Sequence, residues 1–148
     1  MATKVLTNIK IRAAQPTDIP AIAELIAPYV EDGSLLARTY EEFDELLPHF
    51  FVAEEDFGDG TTEIVGCAAL EIYSKKLAEI RSLAVSPKVQ GMGIGKMLVN
   101  ACVSLARQKN ILEVMVVTSN EQFFKAVGFD FTLPGEKKAL FIQTRDVY

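Results

Sequence analysis

The 148-residue sequence predicts one mixed α/β domain, an antiparallel meander followed by a single β-α unit that crosses to a further strand. Three observations carry that expectation. Segments of period two and of helical period follow one another in the order βααβββαβαββ, with no internal repeat or linker between them. The chain is long enough to bury a core, and its composition, 49% hydrophobic and 24% charged without a low-complexity tract, is that of a globular domain. A glycine-rich turn over residues 90–96 joins an extended run to the main amphipathic helix.

Residues 8–14 alternate and suit a first strand. Thr17 or Asp18 can cap a helix with Pro20 in its first turn and with Ile19, Ile22, Leu25 and Ile26 as its apolar stripe. Gly33 ends that region. Thr39-Tyr40-Glu41-Glu42 has the spacing of a capping box and starts a short second helix that carries Phe43, Leu46 and Leu47 on one face. A strand begins over 50–54, and Asp56-Phe57-Gly58-Asp59-Gly60 is turn chemistry before a longer strand from 63 to about 73. Residues 78–85 form the next strand, stopped by Ser86-Pro87. From Gly93 to about Lys109, Ile94, Met97, Leu98, Ala101, Cys102 and Leu105 keep a helical period. The near-continuous apolar run 111–118 has the pattern of a strand covered on both faces. A short helix over 121–127 closes at Gly128, and 129–131 and 139–144 are the last two predicted strands.

The net charge is −5 and no segment clusters Lys or Arg, which argues against nucleic acid as a partner. No apolar run reaches membrane-spanning length and no signal-peptide pattern stands at the N-terminus, so a soluble, cytoplasmic protein without a membrane partner is expected. Cys67 and Cys102 sit in apolar contexts and read as buried thiols rather than a disulfide. His49, the only histidine, reads as a structural residue at a strand edge, and no metal site is expected.

Two familiar phosphate loops fail on spacing. The Walker motif needs Ser or Thr after its lysine, and Met97 follows Lys96. The dinucleotide fingerprint begun at Gly91-Met92-Gly93 needs glycine where Lys96 stands, and it expects its strand to open the sheet, whereas three strands precede the one before this loop. What remains is a loop whose free N–H groups, at the positive end of a helix, suit an anion. Its glycines remove the side chains that would hold a diphosphate away.

Gln90-Gly91-Met92-Gly93-Ile94-Gly95, after a strand ending Leu83-Ala84-Val85, resembles the pyrophosphate loop of the GNAT N-acetyltransferase superfamily. Phe123-Phe124-Lys125-Ala126-Val127-Gly128-Phe129 is similar to a late segment of that family, and the resemblance covers nearly the whole chain, 1–148, as one domain. It implies a mixed, mostly antiparallel sheet of about seven strands with helices on both faces. It also implies acetyl-CoA as co-substrate, a small-molecule amine as acceptor, and a fold that allows a homodimer. The implied cofactor contacts are Leu83, Ala84, Val85, Gln90, Gly91, Met92, Gly93, Ile94, Gly95 and Lys96, with Asn120, Phe123 and Phe124 from the later segment. Lys96 reads equally well as a solvated first-turn lysine. The strand over 78–85 is expected to splay from its neighbour, and the N–H of Leu83 to act as an oxyanion donor.

Glu79, in an Ala-Glu-Ile context like that of related acetyltransferases, maps onto a general base. An amine at neutral pH is mostly ammonium, and a carboxylate, directly or through a water, can take its proton. The alternative is a solvated ion pair with Arg81 or a lysine. Period two places Glu79, Arg81 and Leu83 on one face of the strand. Phe124 stands where many relatives carry a tyrosine acid, which leaves Tyr73, Tyr29, a water or the thiolate itself for that step. The chain looks most like short amino-acid N-acetyltransferases of the N-acetylglutamate synthase branch. Arg38, between the first two helices, and Arg81 then suit the two carboxylates of glutamate, since guanidinium binds carboxylate as a fork; surface ion pairing is the alternative for both. Another amine acceptor, or an acetyl-CoA-binding sensor without catalysis, remains open.

Overall fold

The computed structural model describes residues 8–131 and 139–144. They fall into two compact units, Met1–Val117 and Thr118–Tyr148. The first contains a five-stranded sheet of order β1-β2-β3-β4-β5, built from β1 (Ile9–Ala13), β2 (Phe50–Asp56), β3 (Thr62–Ile72), β4 (Leu77–Val85) and β5 (Glu113–Met115). The first four strands pair antiparallel and β5 runs parallel to β4. The helices of this unit are α1 (Ile19–Glu31), α2 (Tyr40–Leu46) and α3 (Ile94–Gln108).

Helices lie on both faces of the sheet, as predicted. On one, Ile19, Ile22 and Ile26 of α1 and Phe43 of α2 pack with Phe50, Val52, Cys67, Ala69 and Ala84. Full burial of each large side chain contributes about 1.5–3 kcal/mol. On the other face α3 approaches β3 so closely that a Cβ on Gly66 would lie 2.9 Å from Leu98 Cδ1. That glycine is there for space, because a side chain would force Leu98 and Ile94 of α3 to shift. Cys67 and Cys102 are free and buried, and burial pushes both thiols up to about 12.

Local chemistry sets the boundaries. The capping box forms: Thr39 Oγ1 accepts from Glu42 N and Glu42 Oε1 accepts from Thr39 N, both at 3.2 Å. Asp18 stands at the N-cap of α1, yet its carboxylate serves other partners. It accepts from Gln15 N at 2.7 Å and takes a fork from Arg12 at 2.7 and 2.9 Å, while Arg12 also donates to Glu54 at 2.9 Å. The Arg12 bond holds the Asp18 carboxyl below its ordinary value. A lowered folded-state value stabilises the fold above the unfolded value of about 3.9, and that stabilisation is lost as pH falls through the folded value. Arg12→Ala is therefore expected to cost about 2–3 kcal/mol at pH 7, because it strands a nearly buried carboxylate. The deficit, read from urea midpoints, narrows below about pH 4; a deficit constant with pH would remove the ion pair as its cause.

Two predictions about strands are corrected. The run 111–118 forms only the three residues of β5, with Leu112 and Val117 exposed, because it lies at an edge of the sheet rather than between covered faces. The segments 129–131 and 139–144 carry no strand, so the described sheet has five strands instead of about seven. No helix among the described residues is long and apolar enough to cross a membrane. The second unit holds α4 (Glu121–Ala126), followed by Gly128 at φ +103°.

Candidate active site

β4 is open along one side and bulged on the other. It meets β5 only over Leu77–Glu79, so from Ile80 to Val85 that edge has no strand partner among the described residues. This is the predicted splay, and it leaves extended backbone groups free for an added ligand. Against β3, Ala69 faces Arg81 and Cys67 faces Ala84, which sets two residues of β4 against the single Ala68 of β3. The extra residue sits at Ser82 and Leu83, and Ser82 adopts a left-handed backbone with φ +56°. For a residue with a side chain that conformation costs about 1–2 kcal/mol.

The bulge changes which side chains share a face. Directly opposed residues in an antiparallel pair point the same way. Glu79 and Arg81 therefore share a face with Ala84, and Leu83 is turned from it. The strict alternation expected for Glu79, Arg81 and Leu83 holds for the first two and fails at the third.

Glu71 of β3 stands directly opposite Glu79, two carboxylates on neighbouring strands. Their repulsion is offset by donors on both. Arg81 Nη1 donates to Glu71 Oε2 at 3.0 Å, and Tyr73 Oη donates to Glu79 Oε1 at 2.5 Å. Burial, then the bond to Glu79, pushes the Tyr73 phenol up to about 12, although the residue is half exposed. Glu79 Oε2 accepts no hydrogen bond among the described residues.

Arg38 enters this group from the segment between α1 and α2, immediately before the Thr39 cap. Its side chain is only 7% exposed. Nε donates to Ser82 Oγ at 2.8 Å, and Nη1 lies 3.9 Å from Glu42 Oε2, too far for a hydrogen bond. Burial, then the nearby charge of Arg81, holds the guanidinium below its ordinary value. Arg81 thus lies within electrostatic reach of Arg38 on the one hand and of Glu79 on the other. Sequence patterning missed Ser82 and Glu71. Glu71 carries a weak signal, a charge near the end of an otherwise apolar strand.

The glycine loop follows β4 by a short turn over Pro87–Val89. Gly91 and Gly93 have φ of +82° and +81°, and Gly93 is the N-cap of α3. Gly95 lies inside the first turn. The N–H groups that open α3 have no intrahelical acceptor. A row of free donors at the positive end of a long helix is an anion seat. Ile94 turns its side chain into the core beside Gly66, so only its backbone faces outward; Lys96 is exposed and Met92 half-buried. Gln90 folds back, donating to Tyr29 Oη at 3.2 Å and to the Val85 carbonyl at 3.4 Å. Tyr29 donates its own proton to that carbonyl at 2.9 Å, which commits Tyr29 to anchoring the loop.

In the second unit, Asn120 caps α4, its Oδ1 accepting from Phe123 N at 3.2 Å. Phe124 is buried, edge-on to Phe123 at 5.0 Å and to Phe129 at 5.5 Å. It packs and has no proton to give. No cluster of metal-ligating side chains stands among the described residues.

A family model of the acetyltransferase (GNAT) family matches residues 19–129. An uncharacterized N-acetyltransferase of Chlorobaculum tepidum is 37% identical over 119 residues, 80% of this chain and 74% of that one. The amino-acid acetyltransferase of Mycobacterium tuberculosis is 35% identical over 119 residues, 80% of this chain and 67% of that protein. N-acetylglutamate synthase from Neisseria gonorrhoeae, solved with coenzyme A and N-acetyl-glutamate, is similar in structure with a TM-score of 0.76. It is 33% identical over 88% of this chain, which spans 30% of the synthase. The open β4 edge and the free N–H row fit the pantetheine arm and diphosphate of acetyl-CoA. The chain belongs to the acetyltransferase (GNAT) family and is an N-acetyltransferase that uses acetyl-CoA as co-substrate.

Proposed function

We propose that the acceptor is the α-amino group of an amino acid with a second carboxylate, L-glutamate before others, as in amino-acid biosynthesis. The single observation that supports this most is Arg38, a guanidinium 7% exposed, facing the charge of Arg81, with only its Nε hydrogen-bonded. A desolvated cation beside another cation is costly alone and favourable once an anion lies between them. The relatives named for amino-acid and glutamate acetylation agree with it.

Acetyl-CoA supplies the acetyl group as a reactive thioester. The backbone of Gly91 to Lys96 holds the diphosphate, and the open edge at Leu83, Ala84 and Val85 holds the pantetheine arm. Arg38 and Arg81 bind the acceptor's carboxylates and aim its amine. Glu79, held by Tyr73 on one oxygen, takes the ammonium proton on the other. The Leu83 N–H, presented by the bulge, stabilises charge on the carbonyl oxygen as it develops.

Steady-state release of free CoA, measured with a panel of amino acids, polyamines and peptide N-termini, tests the acceptor. L-Glutamate is expected to give the highest kcat/KM, with monocarboxylate amino acids at least 10-fold lower. A neutral amine or a peptide outpacing glutamate would overturn the assignment, and the absence of CoA release with every amine in the panel would favour a sensor.

A further inference from the structure

Ser82 belongs to neither the loop nor the charged cluster, and it is the one described residue of β4 in a left-handed conformation. A left-handed serine inside a strand is unfavourable by itself, so the surroundings must hold it there. Its hydroxyl accepts from Arg38 Nε at 2.8 Å, and its carbonyl accepts from the Cys67 thiol at 3.3 Å. Ser82 is 6% exposed and the Arg38 side chain 7%, so this bond is shielded from water. On the far side Glu42, fixed by the capping box to Thr39, stands 3.9 Å from Nη1. The guanidinium is thus gripped at Nε, and its two terminal nitrogens are left for a ligand.

We propose that Ser82 is a positioning residue for acceptor specificity: its left-handed bulge turns the hydroxyl onto Arg38 Nε and aims the remaining guanidinium fork at the acceptor's carboxylate. The proposal rests on the reading of Arg38 as a carboxylate-binding residue. It ties two functions to one backbone irregularity, since the residue that steers Arg38 also displaces Leu83 from the regular ladder. A straight strand would lack both features. A chain with alanine or glycine at this position loses the grip on Arg38.

Ser82→Ala and Ser82→Gly test it together. Glycine adopts φ near +56° without strain, so the second variant retains the fold if alanine perturbs it. Both are expected to raise the KM for L-glutamate about 10-fold while the KM for acetyl-CoA stays within twofold. The preference in kcat/KM for glutamate over a monocarboxylate amino acid should fall by a similar factor. Arg38→Leu is expected to raise the glutamate KM at least as much, and the Arg38→Leu/Ser82→Ala double variant to be no worse than Arg38→Leu alone, because both remove one interaction. Glutamate KM within twofold of the parent in both Ser82 variants, or additive effects in the double variant, would overturn the role of Ser82. An unchanged glutamate KM in Arg38→Leu would instead overturn the carboxylate reading on which it rests.

Discussion

Glu79→Gln is expected to lower kcat by about 10²–10³-fold while leaving the KM for acetyl-CoA within a factor of about two, a loss in the range that positioned general bases supply. The substitution preserves shape and keeps an oxygen to accept from Tyr73, so the hydrogen bond at Glu79 Oε1 survives. What disappears is the capacity to accept a proton from the ammonium group. The loss should be largest where the amine is most fully protonated and shrink as pH rises toward the amine's own pKa, since free amine then forms without help. Rates from pH 6 to 10 for the parent and the variant, with glutamate saturating, measure this directly. A variant whose rate follows the parent at every pH would remove Glu79 from proton transfer and leave it as the structural partner of Tyr73. Tyr73→Phe is the matching control, because it frees Glu79 without neutralising it.

Much of this site is legible in the sequence, and what is legible is local. The glycines of the loop announce themselves because only glycine tolerates φ near +80° beside a helix start. The capping box at Thr39 and Glu42 is a spacing rule, and it forms. The pairing of β3 with β4 shows where that legibility ends. Nothing in Leu77-Ala78-Glu79-Ile80-Arg81-Ser82-Leu83-Ala84-Val85 breaks the alternation of period two, and no glycine or proline marks a bulge. The irregularity arises from register against β3, where Ala69 and Cys67 take Arg81 and Ala84 as partners, and register is a property of two strands. The same holds for Glu71, whose bearing on Glu79 and Arg81 exists only once the hairpin closes. The run 111–118 misleads for a related reason: apolar composition records what could be covered, and only Glu113–Met115 pairs. That short pairing leaves β4 open from Ile80 onward, so the failed strand prediction and the open edge have one origin.

The two arginines expected to share the acceptor are also unequal in a way that composition cannot reveal. Arg81 is 29% exposed at its side chain and already bonded to Glu71 at 3.0 Å, so much of its charge is answered within the protein. The Arg38 side chain is 7% exposed, with its one close carboxylate, Glu42, beyond hydrogen-bond distance. The inequality predicts which substitution hurts more. Arg38→Leu is expected to raise the KM for glutamate by on the order of 100-fold, the equivalent of two charge-assisted hydrogen bonds of about 1.5 kcal/mol each. Arg81→Leu also strands Glu71 beside Glu79, and its effect should divide between a smaller rise in KM and a fall in kcat, because a second uncompensated carboxylate then faces the base. Arg38→Lys keeps the charge and loses the fork, so it should recover only part of the affinity. The separating measurement is the KM-against-kcat split for the three variants with glutamate, alongside the KM for acetyl-CoA as a control on the fold. Equal losses in Arg38→Leu and Arg81→Leu would mean that Glu71 releases Arg81 when the acceptor arrives. A larger loss in Arg81→Leu would transfer the leading role in carboxylate binding to that residue.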